Sequence, residues 1–143
     1  MAIKERKQQL RVVAEILLVH LPDILQNDQE LARDLLSVAG KALLTIYEDA
    51  EQSAKAWDKR AYDVKADKLR REWDWTLGAS NYALGLALRA TPLTKTSLAK
   101  LRIMIRPDLE RPARRQIKDP TRFRGAAQAL KIQQARKRKV IRG

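Results

Sequence analysis

LARDLLSVAGKALLTIYEDA, residues 31–50, places Leu31, Leu35, Val38, Ala42, Leu43, Ile46 and Ala50 at steps of three and four. That period puts one apolar stripe along an α-helix, and it gives no support to a strand, whose side chains alternate every two residues. Gly40 falls inside the stripe and marks a place where a second helix can come close. The helix is expected to begin near Asn27, which together with Glu30 has the spacing of a capping box; Asp28 adds negative charge at the positive helix end.

Downstream there is neither glycine nor proline between Lys41 and Leu77, and the stripe continues through Ala54, Trp57, Ala61 and Val64. A single helix over residues 28–88 would be about 90 Å long, too long for a chain of 143 residues with one core. A break is therefore expected within Glu51–Arg60. A further helix follows over residues 61–89, with Leu69, Trp73, Leu77, Leu84 and Leu88 on its main face and Gly78 and Gly85 seven residues apart. Thr91-Pro92 then offers a cap with proline in the first helical position. The next helix, residues 92–106, carries Leu98, Leu101, Met104 and Ile105 and stops before Pro107.

Upstream, Leu10, Val13, Leu17, Leu21 and Ile24 give an amphipathic helix over residues 5–25, with Pro22 kinking or ending it near Leu21. Its apolar run from Val12 to Leu21 is interrupted by Glu15 and His20, so it predicts neither a signal peptide nor a transmembrane span. The expected architecture is all-α: a four-helix bundle over residues 1–106 and a basic, partly irregular C-terminal arm over residues 107–143. Alanines and glutamines from Gly125 to Ala135 can support one more helix within that arm.

Charge divides the chain more sharply than apolarity does. Residues 1–90 hold fourteen lysines and arginines against fourteen acids, whereas residues 91–143 hold sixteen against three, so the whole net charge of +13 lies in the last 53 residues. A surplus serving solubility would be spread over the surface; one concentrated at a terminus points to a polyanionic partner. Two clusters carry it: Arg111, Arg114, Arg115, Lys118, Arg122 and Arg124, then Lys131, Arg136, Lys137, Arg138, Lys139 and Arg142. The arginines of the first suit bidentate phosphate contacts. Phe123, between Arg122 and Arg124, is a candidate for stacking on a base. A solvated tail without a partner is the plainer alternative. A membrane surface fits less well, because the segment lacks an apolar anchoring face. Smaller basic groups, Lys4, Arg6, Lys7 and Arg11 and then Lys65, Lys68, Arg70 and Arg71, are interleaved with acids and read as solvated helix faces.

Chemistry is harder to place. There is no cysteine, so disulfides and thiolate metal sites are ruled out, which fits a cytoplasmic protein. The one histidine, His20, sits in an apolar helix with no nucleophile beside it and reads as a core or boundary residue. The glycines are isolated and form no phosphate-binding loop. Acid pairs such as Glu48/Asp49 and Glu72/Asp74 read as solvated positions. No cofactor, metal or catalytic residue is assigned. Trp73 and Trp75, two residues apart, point about 200° apart on a regular helix and cannot share one face; burial of both in a widely covered helix is the preferred reading. Trp57 is assigned a core or interface role over base stacking.

The run Leu17-Leu18-Val19-His20-Leu21-Pro22-Asp23-Ile24-Leu25, the Leu- and Ala-rich helix from Leu31 to Ala50 and the aromatic-bearing helix around Leu69–Trp75 follow one another in an order that resembles a family of four-helix-bundle proteins. These are the accessory variability proteins of diversity-generating retroelements and the proteins encoded in 23S ribosomal RNA intervening sequences. The resemblance covers residues 10–105. It implies a ring-like homo-oligomer such as a pentamer that binds RNA and a reverse transcriptase. The glycine-tryptophan ending of that family's last helix is missing here, and the long basic segment is additional. Small helical subunits of CRISPR effector complexes have a similar character, and helix order favours the first resemblance. The expected function is a non-catalytic, nucleic-acid-binding accessory subunit of a ribonucleoprotein, with RNA preferred; a DNA-binding phage or plasmid accessory protein is the other reading.

Overall fold

A computed structural model describes residues 3–105, 112 and 114–142, with the side chains of residues 5–105, 112 and 114–138. Among these residues every regular element is helical. Helix α1 (Ile3–Glu15) runs into one turn of π-helix (Ile16–His20) and then α2 (Leu21–Ile24). Pro22 therefore neither ends the rod nor breaks it at Leu21. The backbone widens by one residue instead: Leu21 N–H donates to Ile16 O, five residues back. The next carbonyl, Leu17 O, would then await an N–H from position 22, where proline has none. Arg102 fills the vacancy, its Nη2 lying 2.9 Å from Leu17 O.

Helix α3 (Gln29–Lys59) is the longest element, about 46 Å at 1.5 Å per residue. Asp28 caps it, accepting from Leu31 N–H at 3.1 Å, so the cap lies one residue beyond the expected Asn27. The helix ends at Lys59 with Arg60 as its C-cap, at the edge of the expected window, and the chain turns at Ala61. Ala61 N–H donates to Asp58 O and Tyr62 N–H to Trp57 O, with Ala61 at φ +62°. This is a Schellman ending, built on alanine where glycine is usual. The Trp57 and Tyr62 rings meet edge to face at 5.6 Å and supply the apolar contact that accompanies the motif.

Helices α4 (Asp63–Trp73) and α5 (Trp75–Leu88) are nearly continuous, joined at Asp74, whose backbone stays helical. The ladder tightens there: Leu77 N–H donates to Asp74 O, three residues back, while Trp75 Nε1 donates to Glu72 O and Thr76 Oγ1 to Trp73 O. The tryptophans, expected to share no face, nevertheless meet, Trp73 buried and Trp75 partly so. Their rings stack at 6.4 Å, and both pack with Ile46 and Ala50. Gly40 is where α3 and α5 touch most closely. A Cβ added there would lie 2.6 Å from Leu84 Cδ2.

The segment after α5 does not turn helical at Pro92. Gln29 donates to Leu93 O and accepts from Leu93 N–H, while Arg33 Nη2 donates to Ala90 O and Thr91 O. Held in a non-helical course by α3, the chain starts α6 (Lys95–Met104) only at Thr94, which accepts from Ser97 N–H. A short 3₁₀ turn (Pro120–Phe123) and α7 (Ala126–Arg142) follow. Ile117, Ala127 and Leu130 are buried, so the basic segment contributes apolar groups to the packed interior and carries a helix of its own. The central core is formed by Leu17, Leu21, Leu35, Leu43 and Leu101 with the alanines of α5.

Candidate nucleic-acid interface

Two carboxylates buried in the helical body hold the basic segment. Glu15, fully buried, accepts from Gln116 N–H at 2.5 Å and Ile117 N–H at 2.8 Å, and His20 Nε2 lies 2.7 Å from its second oxygen. The five-residue spacing of Glu15 and His20 matches the π-helical turn that brings them together. Burial by itself raises the pKa of Glu15. The hydrogen bond with His20 and the two backbone N–H groups outweigh it and hold the carboxyl below its ordinary value. Asp34, on α3, accepts from Gly125 N–H at 3.1 Å and Ala127 N–H at 2.9 Å. It caps α7 from 91 residues away in sequence. Gly125, at φ +90°, makes the turn that presents those amides.

A third tie is external. Arg124 Nη2 lies 2.6 Å from Asp28 Oδ2, and that hydrogen bond, followed by the one from Leu31 N–H, holds the Asp28 carboxyl below its usual range. Arg124, a candidate phosphate contact, lies in this ion pair against α3 and helps fasten the segment.

The remaining cations have no such partner. Arg114, Arg115, Lys118, Arg122, Lys131, Arg136, Lys137 and Arg138 are all exposed, and none forms an ion pair among the described residues. Arg136, Lys137 and Arg138 are consecutive on α7 and so point about 100° apart. The helix is thereby positive around its circumference and not along one stripe. Arg111 and the side chains of Lys139 and Arg142 lie outside the described residues. Phe123 is only half exposed. One side packs on the core, and the Arg122 guanidinium sits 4.8 Å from its ring centre. A base approaching that ring would have to displace Arg122 or stack outside it.

Of the smaller basic groups, Lys7, Arg11, Lys65, Lys68 and Arg71 are exposed, as a solvated helix face would have them, whereas two members are paired within the body. Arg6 is buried against Asp49 at 2.8 Å and lies 5.7 Å from the Trp73 ring centre. Arg70 reaches both Glu51 and Asp58. Asp49, read as solvated, is in fact buried. Among the described residues no three histidine or acidic side chains gather as a metal site would require, and no helix is long and apolar enough to cross a membrane.

Glu15 and Asp34 were the functional positions that sequence reasoning passed over. A signal existed: each is an acid lying among apolar positions of its helix, Glu15 between Ala14 and Ile16 and Asp34 between Leu31 and Leu35. A charge in such a place is expensive unless something arrives to pair with it. No known protein family, curated protein or solved structure matches this chain.

Proposed function

We propose that this protein is a non-catalytic RNA-binding subunit of a ribonucleoprotein, with residues 10–105 acting as a four-helix bundle that makes protein contacts and the basic segment gripping the phosphate backbone. The observation that carries the reading is the set of exposed, unpaired cations from Arg114 to Arg138, on a segment that buried carboxylates fasten to the body. Arginine and lysine left without acidic partners keep their full attraction for phosphate. A disordered solubility tail would need neither Glu15 nor Asp34 to hold it. RNA is preferred over DNA on the resemblance of residues 10–105 to the retroelement accessory and intervening-sequence proteins, which also suggests a reverse transcriptase as partner and a homo-oligomer.

The test is a salt-series titration of the full chain against structured RNA, single-stranded RNA and duplex DNA. It is repeated with Arg114, Arg115, Lys118, Arg136, Lys137 and Arg138 all changed to glutamine. Substitution is the right perturbation, since truncation at residue 106 would remove buried Ile117 and strand the Glu15 carboxylate. With about six phosphate contacts, wild-type affinity for a duplex falls roughly 1,000-fold between 50 and 200 mM salt. The six-fold variant should bind weakly at low salt and lose most of that slope. Unchanged binding by the variant would sink the reading. Equal affinity for duplex DNA and structured RNA would turn it toward a DNA-binding accessory protein.

A further inference from the structure

Residues 75–88, the whole of α5, contain no charged side chain. One side of the helix is accounted for: Thr76, Ala79, Ser80, Ala83, Leu86 and Ala87 are buried against the body. On the opposite side Gly78 and Asn81 are exposed, and Leu77, Gly85 and Leu88 are partly so. A surface helix ordinarily carries charge on its outward face. This one keeps its charges at the two ends, where Asp74 and Arg89 are exposed and unpaired among the described residues. Asp74 makes no side-chain hydrogen bond as a helix cap either.

The glycines on this face lack an internal reason. Gly40 is required by the approach of Leu84, but a Cβ at Gly85 would meet nothing within 4 Å and one at Gly78 would meet only Met104 Cε at 3.9 Å. Glycine inside a helix weakens it, and nothing among the described residues compensates. At 100° per residue, Asp74, Gly78, Asn81, Gly85 and Leu88 fall within an arc of about 80°, with Arg89 at its edge.

The order of these residues is symmetric. Positions 74 and 89, 75 and 88, and 78 and 85 are each equidistant from the point between Asn81 and Tyr82. We infer that this face packs, antiparallel, on the same face of a second copy of the chain, with the two-fold axis crossing α5 between Asn81 and Tyr82. Gly78 then lies opposite Gly85 of the second copy, twice, and lets the backbones approach closely. Asp74 meets Arg89 of the second copy at both ends, and the two Asn81 amides, each both donor and acceptor, meet near the axis. The charge pattern selects this occupant, because only an antiparallel copy of the same helix brings each unpaired end charge to its opposite. The contact is small, since α5 is about 21 Å long, so the pairing is concentration-dependent and weaker than a standard interface.

Sedimentation equilibrium of the full chain without nucleic acid, from about 1 to 200 μM, tests this independently of the RNA-binding reading. A monomer–dimer equilibrium is expected. Gly85→Leu, whose side chain has open space in the single chain, should weaken it at least ten-fold while circular dichroism stays unchanged. Asp74→Arg and Arg89→Asp should each weaken it, and the double charge reversal should recover association toward the wild-type constant. A chain that stays monomeric at the highest concentration would overturn the inference. So would self-association indifferent to Gly85→Leu, or a double reversal no better than either single variant.

Discussion

The helical body and the basic segment use charge in opposite ways. Through residue 90 the body balances fourteen lysines and arginines with fourteen acids, and it matches Arg6 directly to Asp49 and Arg70 to Glu51 and Asp58. In the segment only Arg124 is matched, to Asp28, and the other described cations face solvent. Apart from Asp28, the body acids that hold the segment bind its backbone amides, not its side-chain charges. Glu15 and Asp34 together accept four arm N–H groups. This arrangement fixes the position of the segment without neutralising it. Had the same acids been presented on the surface opposite the arginines, they would have held the segment equally well and abolished its attraction for a polyanion.

The experiments that bear on this contrast can be ordered by size. Largest is the loss of nucleic-acid affinity on neutralising six arm cations, which should leave the stability of the body almost untouched. Next is Glu15→Gln, which keeps the shape but turns a three-bond acceptor into a group with one oxygen and an amide facing other donors. A cost of about 3 kcal/mol is expected, read from the denaturant midpoint. Its pH dependence has a definite sign. The folded-state pKa of Glu15 is depressed from 4.5, so its contribution is fully present above that value and is lost as pH falls through the lower folded-state one. The wild-type and Glu15→Gln stabilities should therefore converge on acidification. If they stay parallel, the carboxylate is not the joint between the two regions.

Smaller effects should fall on the body alone. Gly40→Ala forces a methyl group into Leu84 at the α3–α5 crossing, and a loss of about 1–2 kcal/mol is expected after allowing for the better helix propensity of alanine. Ala61→Gly relieves a left-handed backbone at the α3–α4 turn and should stabilise by about 1 kcal/mol. Both can be read from chemical denaturation, and neither should alter the salt slope of nucleic-acid binding. A changed slope in either variant would mean that the two regions are coupled beyond the Glu15 and Asp34 contacts.

Local properties were legible from residue order. The 3.6-residue period located the helices, because which side chains share a helix face depends only on spacing. The segregation of charge after residue 90 was likewise visible, because net charge over a stretch is a sum over its residues. The two basic clusters were picked out in the same way, but nothing near Arg124 in sequence announces its ion pair with Asp28. The tertiary structure decided the rest. The end of α3 depends on Trp57 meeting Tyr62 around a left-handed alanine, which no glycine or proline marks. The start of α6 depends on Gln29 and Arg33 holding residues 90–93 out of the helix. Whether Glu15 is a solvated acid or a buried anchor depends on amides that arrive from 101 and 102 residues further along the chain. Burying a carboxylate is favourable only when its hydrogen-bond donors are delivered to it, and that delivery is a property of the packed fold.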